Sequence, residues 1–99
     1  MVKKLNIVEK IKEEKKNNKP GLYKLILLND DFTTMDFVVK ILIMFLNKTS
    51  SEAQLLMLKV HNEGSAVCGL FPTDVAKTIQ KKIHNYSNIN HQPLKCIIK

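Results

Sequence analysis

Four residue types capable of chemistry recur in the middle of this 99-residue chain. Asn29, Asp30 and Asp31 follow the apolar run Leu22 to Leu28, His61 lies thirty residues on, and Cys68 comes shortly after it. No Lys occurs between Lys24 and Lys40, although three Asp do, and the chain carries a formal +7. A thiol beside an imidazole could be a nucleophile, and carboxylates with His and Cys could hold a metal. Cys68, however, sits in the apolar run Ser65 to Phe71, where a thiol is buried and inert. His84 and His91 do not stand at metal-ligand spacing with any pair of Cys. No catalytic residue, metal or cofactor is therefore expected.

The acceptor cluster has a plain structural alternative. Asn and Asp build turns, and acids complement the dipole at a helix N-terminus. Its neighbours suggest something further. Met57, Val60 and His61 are spaced i, i+3, i+4 and share a helix face, and Met35 and Val38 form a similar short stripe. If the two helices pack, Met and Val make a soft apolar slot, with Asn29, Asp30 and His61 as its polar rim. Such a slot suits a ligand with a large apolar group and a cation close beside it.

The elements that must hold these residues can be read from breakers and caps. Residues 22–28 are strand-like, with Lys24 their one charge. Thr33-Thr34-Met35-Asp36 fits a capping box with Thr33 as N-cap, opening a helix over about residues 34–47. Thr49-Ser50-Ser51-Glu52 is a second capping box, and its helix runs to about Asn62 with Gly64 as C-cap. Residues 65–71 form a second strand. Pro72-Thr73-Asp74 opens a third helix with Val75, Ile79, Ile83 and Tyr86 on one face, and residues 87–92 form a polar loop. Residues 93–98 form a last, edge strand. The order β-α-α-β-α-β predicts an α+β sandwich: a three-stranded antiparallel sheet packed on three helices.

Charge divides the chain. All sixteen basic residues are Lys, and residues 1–19 hold seven of them against three Glu, a net +4. The Lys-rich stretch ending at Pro20-Gly21 predicts a flexible tail over 1–19 and a domain over 20–99. Without Arg or interleaved aromatics, the basic charge does not suggest nucleic-acid binding. Phe37 to Leu46 is too short to span a bilayer, and residues 1–19 lack the apolar core of a signal peptide. Two Cys make no disulfide framework. A monomer in a reducing cytoplasm, with no membrane contact, is expected.

From about Gly21 onward the chain resembles the ClpS family, adaptors of the ClpAP protease that recognise N-degrons. The likeness rests on Leu28-Asn29-Asp30-Asp31-Phe32-Thr33, Met35 to Val38, and Ala53-Gln54 with Leu56-Met57 and Val60-His61. Gly64, Cys68-Gly69, Val75-Ala76 with Thr78, and Pro93-Leu94 with Cys96 complete it. The resemblance implies a pocket for a first residue that is Phe, Tyr, Trp or Leu. Its walls would be Met35, Val38, Met57, Val60 and Leu94, with Thr33 at the rim. Asn29, Asp30 and His61 would hold the α-ammonium, and Met35 would act as gatekeeper against β-branched side chains. An imidazole accepts only when neutral and the amine must be protonated, so binding should weaken on both sides of a window around neutral pH.

The resemblance further implies delivery to the N-terminal domain of the ClpA unfoldase, through Pro72 to Gln80 with Asp74 at an acidic position. Here the chain departs from the common A-E-T-K pattern, reading Ala76-Lys77-Thr78-Ile79. Asp74, Lys77, Thr78 and Ile79 are thus the docking candidates on an altered face. The tail would be engaged by the unfoldase during hand-off.

Overall fold

The computed structural model describes residues 21–99. The tail expected over 1–19 lies outside them. The elements are β1 (Tyr23–Leu28), α1 (Met35–Leu46), α2 (Ser50–Glu63), β2 (Ser65–Phe71), α3 (Thr73–Ile89) and β3 (Lys95–Ile98). β1 is central in an antiparallel sheet of order β2-β1-β3. This is the α+β arrangement expected, and the three helices pack on one face of the sheet.

Local chemistry explains the boundaries. α1 starts one residue later than its capping signal suggested. Thr34, not Thr33, is the N-cap, with its hydroxyl accepting from Phe37 N at 3.1 Å. Thr33 instead turns its hydroxyl to the loop, donating to Asp30 Oδ2 at 2.6 Å. Asn47 closes α1 in the left-handed region at φ 56°. The capping box of α2 forms as read, with Glu52 N donating to Thr49 Oγ1 and Thr49 N donating to Glu52 Oε1. Gly64 ends α2 at φ 91°, a conformation costly for any residue with a Cβ.

α3 runs on to Ile89, so Ser87, Asn88 and Ile89 are helical where a loop was expected. Ser87 lies four residues after Ile83, on the same buried face, and is 1% exposed. Val75 was expected on the apolar face of α3 but is exposed, and Ala76 is buried in its stead. The inward stripe is Ala76, Ile79, Ile83 and Ser87, rotated from the one read by residue type. Tyr86 stacks on Phe37 at 5.7 Å between ring centroids and meets Phe45 edge-on at 5.6 Å.

Leu25 and Leu27 of β1, with Ile41 and Leu42 of α1, form the fully buried centre. Each such side chain contributes roughly 1.5–3 kcal/mol when removed from water. Cys68 is the extra residue of a bulge: Leu25 pairs with Gly69, but Ile26 pairs with Val67. Both Cys68 and Cys96 are free and buried. The outer edge of β3 is closed by α3. Cys96 N donates to His84 Nε2 at 3.1 Å, and Gln80 Nε2 donates to Cys96 O at 2.8 Å. The outward backbone groups of Cys96 on this edge are thereby satisfied.

Candidate functional site

The end of β1 is fastened to the end of α2 by Asn29 N donating to Gly64 O at 2.9 Å. That bond sets the loop after β1 beside the last turn of α2, which carries His61. The loop is shaped by one carboxylate. Asp30 Oδ1 accepts from Phe32 N at 2.8 Å and Thr33 N at 2.7 Å, and Oδ2 accepts from Thr33 Oγ1 at 2.6 Å. Partial burial works to raise the Asp30 pKa. The Thr33 hydroxyl and the Thr33 and Phe32 amides outweigh it, holding the carboxyl below its ordinary value. Asp30 is therefore both the hub of the loop and a standing negative charge.

Between this loop, the start of α1 and the end of α2 lies a cleft of about 350 Å³. Met35, Val38, Met57 and Val60 line its apolar part. Val38 and Val60 are buried, Met57 is half-buried, and Met35 is 44% exposed at the mouth. Asn29, Asp30, Thr33 and His61 supply its polar part. The volume lies at the small end of ligand pockets, the size for one amino-acid residue.

Among the described residues, the Asn29 carboxamide and the His61 ring make no hydrogen bond, so both are free to receive a ligand. The negative end of the α2 dipole falls in the same place. A cation at this rim meets Asp30, Asp31 and a helix C-terminus together.

Two lining residues were missed by spacing. Asp31 faces the cleft with an unpartnered carboxylate, and Thr34 lines it although its hydroxyl serves the α1 cap. Their adjacency to Asp30 and Thr33 was the available signal. Leu94, expected in the wall, does not line the cleft. It is 2% exposed and belongs to the core cluster. Next to it, Gln92 Oε1 accepts from Thr34 N at 3.1 Å and ties the turn before β3 to the start of α1.

The docking candidates on α3 lie apart from the cleft. Asp74, Lys77 and Thr78 are exposed, and Thr78 Oγ1 donates to Asp74 O at 2.9 Å. Ile79 is half-buried against the core, so it presents only part of its side chain outward.

The thiols do not complete a nucleophilic pair with the cleft. Burial pushes Cys68 up to about 11. Burial, with the neighbouring Cys68 thiol adding to it, pushes Cys96 up to about 12. The imidazole nearest a thiol is His84, whose Nε2 is 3.7 Å from Cys96 Sγ but already accepts from Cys96 N. Among the described residues, no group of three metal-donor side chains comes together, and no helix is long and apolar enough to cross a membrane.

The sequence pattern of the family described as ATP-dependent Clp protease adaptor protein ClpS matches residues 18–97. The ClpS adapter protein of Wolinella succinogenes is 47% identical over 89 residues, covering 90% of this chain and 87% of its own. That of Nitrosomonas eutropha is 46% identical over 80 residues, covering 81% and 78%. Among solved structures, Agrobacterium tumefaciens ClpS2 bound to L-phenylalaninamide superposes with a TM-score of 0.78 at 31% identity. The match covers 82% of this chain and 98% of that one.

Proposed function

Because the chain belongs to the ClpS family of ATP-dependent Clp protease adaptors, we propose that its cleft binds the first residue of substrate proteins when that residue is Phe, Tyr, Trp or Leu, and that the chain delivers them to a ClpA-type unfoldase. The observation that carries this reading is the pairing, in one cleft, of a Met/Val floor with the free Asn29 and His61 and the negative Asp30. Phenylalaninamide, the ligand of the Agrobacterium relative, has the matching chemistry: a free α-amine beside an aromatic side chain, with an amide where the next peptide bond would follow.

In this reading Met35, Val38, Met57 and Val60 take the side chain, and Thr33 borders it. Asn29 and His61 accept from the ammonium, and Asp30 holds the loop and adds its charge. The ring of His61 must be neutral to accept. Burying one Leu or Phe side chain contributes roughly 1.5–3 kcal/mol, and each bond to the charged amine about as much. Together they reach about 8 kcal/mol, or micromolar affinity, when the cleft is preformed. The protein performs no bond-making itself; hydrolysis of ATP and peptide belongs to the protease.

Delivery is assigned to the exposed start of α3, through Asp74, Lys77 and Thr78, with Ile79 contributing its outward edge, against the N-terminal domain of the unfoldase. A degradation assay tests both halves. With purified ClpA-type unfoldase and its peptidase, this chain should accelerate loss of a reporter beginning with Phe and leave one beginning with Met untouched. Equal rates for the two reporters would refute N-terminal selection. Acceleration unaffected by Asp74→Lys with Lys77→Glu would refute the docking face.

A further inference from the structure

We propose that the outer face of the sheet, remote from the cleft, docks an amphipathic helix of a partner protein whose apolar stripe is flanked by acidic residues. The pairing register composes this face in three cross-strand rows. Leu70, Lys24 and Lys99 form the first, Val67, Ile26 and Ile97 the second, and Ser65, Leu28 and Lys95 the third. Direct partners across strands point to the same side.

Five of the nine are large and apolar: Val67 is 44% exposed, and Leu70, Ile26, Ile97 and Leu28 are half-buried without packing on the core cluster. No helix of the described residues covers them, since the apolar stripes of all three helices turn to Leu25, Leu27 and their neighbours. An apolar sheet face that no described element covers is unusual unless something binds it.

Charge decides what binds. The three charged residues of the face are all Lys, and no acid belongs to its rows. Lys24 and Lys99 stand directly opposite each other, joined by Lys99 N donating to Lys24 O at 2.9 Å. Like charges so placed repel, and an acid set between them relieves the repulsion. A second copy of this chain would bring three more Lys to the same face. Residues 1–19, at net +4, are also poorly matched to it.

Size decides the shape. Three strands about 4.8 Å apart span roughly 10 Å, the width of one α-helix. Three rows along the strands extend about 13 Å, or between two and three helical turns. Acids flanking the stripe then reach Lys24 and Lys99 at one end and Lys95 at the other.

The test is a nitrogen-15 NMR titration of the full chain with two synthetic amphipathic helices. They share one Leu/Ile stripe, flanked by Glu in the first and by Lys in the second. The Glu helix should shift the amides of Ile26, Val67, Leu70 and Ile97 and leave those of Met57 and His61 in place. The triple variant Lys24→Glu, Lys95→Glu, Lys99→Glu changes exposed residues only, and should weaken the Glu helix by about tenfold or more. Val67→Glu should do the same without altering the Lys rim. Several outcomes overturn the proposal. One is equal binding of the two helices, or no shift by either up to about 1 mM. Another is equal shifts on adding phosphatidylserine vesicles, which would make the face a lipid site. The last is paramagnetic broadening of Ile26 and Ile97 by a spin label at residue 5, which would show the chain covering its own sheet.

Discussion

Asp30 does two things that substitution can separate. Its carboxylate holds the loop through three short hydrogen bonds, at 2.8, 2.7 and 2.6 Å, and it contributes a negative charge at the rim. Asp30→Asn keeps an oxygen for the Phe32 and Thr33 amides and offers an N–H to the Thr33 hydroxyl, which can accept it. The loop should survive, with a stability loss under about 1 kcal/mol, while the charge disappears. For an ammonium about 5 Å away, the lost attraction is about 1–3 kcal/mol between watery and protein-like screening. Affinity for a Phe-initiated peptide should therefore fall by about 5- to 150-fold, and less at high salt.

Asp30→Ala removes both contributions. Three donors lose their acceptor, but the site is only partly buried and water replaces some of the loss. A cost of about 1–3 kcal/mol in stability is expected, with a larger loss of affinity than in the Asn variant. Fluorescence anisotropy at low and high salt, with urea melts of each variant, measures both quantities. An Asp30→Ala protein that binds as tightly as the wild type would refute the reasoning. An Asn variant with full affinity at every salt concentration would confine Asp30 to shaping the loop.

Met35→Ala should admit Ile- and Val-initiated peptides while costing Phe and Leu peptides less than about 1 kcal/mol, because half of Met35 is already in water; anisotropy on the four peptides reads both. His84 is held below its ordinary value of 6.5, first by burial and then by the Lys95 charge, and its Nε2 must stay unprotonated to accept from Cys96 N. The unfolded chain then takes up the proton first, so the His84 contribution to stability is complete above 6.5 and is lost as pH falls through the folded value. Urea melts from neutral pH downward should show this loss, and His84→Ala should flatten it while costing about 1–3 kcal/mol at neutral pH. Gly69→Ala would set a Cβ 2.6 Å from Phe71 Cε2, so the ring must leave its place, at a cost of about 1–3 kcal/mol in the same melts.

Much of this was legible in the sequence, because the signals are local. Thr49 with Glu52, Gly64, and the breakers between strands and helices mark boundaries through hydrogen bonds made within a few residues. Spacing likewise brought Met35 and Val38 together, and Met57, Val60 and His61. What stayed hidden depends on distant contacts. Thr33 reads as the N-cap, but its hydroxyl is turned to Asp30 and Thr34 caps the helix. Polar Ser87 reads as loop, yet the core on the inward face of α3 keeps the helix going. Leu94 reads as a pocket wall, but it sits in the core and is not among the residues lining the cleft. In β2, Ala66 and Phe71 both meet the core although five residues apart, because the bulge at Cys68 shifts the alternation by one. Strict alternation therefore misassigns half of that strand and conceals the apolar outer face.

On the proposed function, one cleft reads a free α-amine and a large apolar side chain together. The most direct measurement is anisotropy with two labelled peptides, one beginning with Phe and the other with N-acetyl-Phe, titrated with wild type and with His61→Ala. Micromolar or tighter binding is expected for the free peptide alone, weakened by about tenfold or more in the variant. Equal binding of the acetylated peptide would contradict it, because the cleft would then be reading the side chain without the amine.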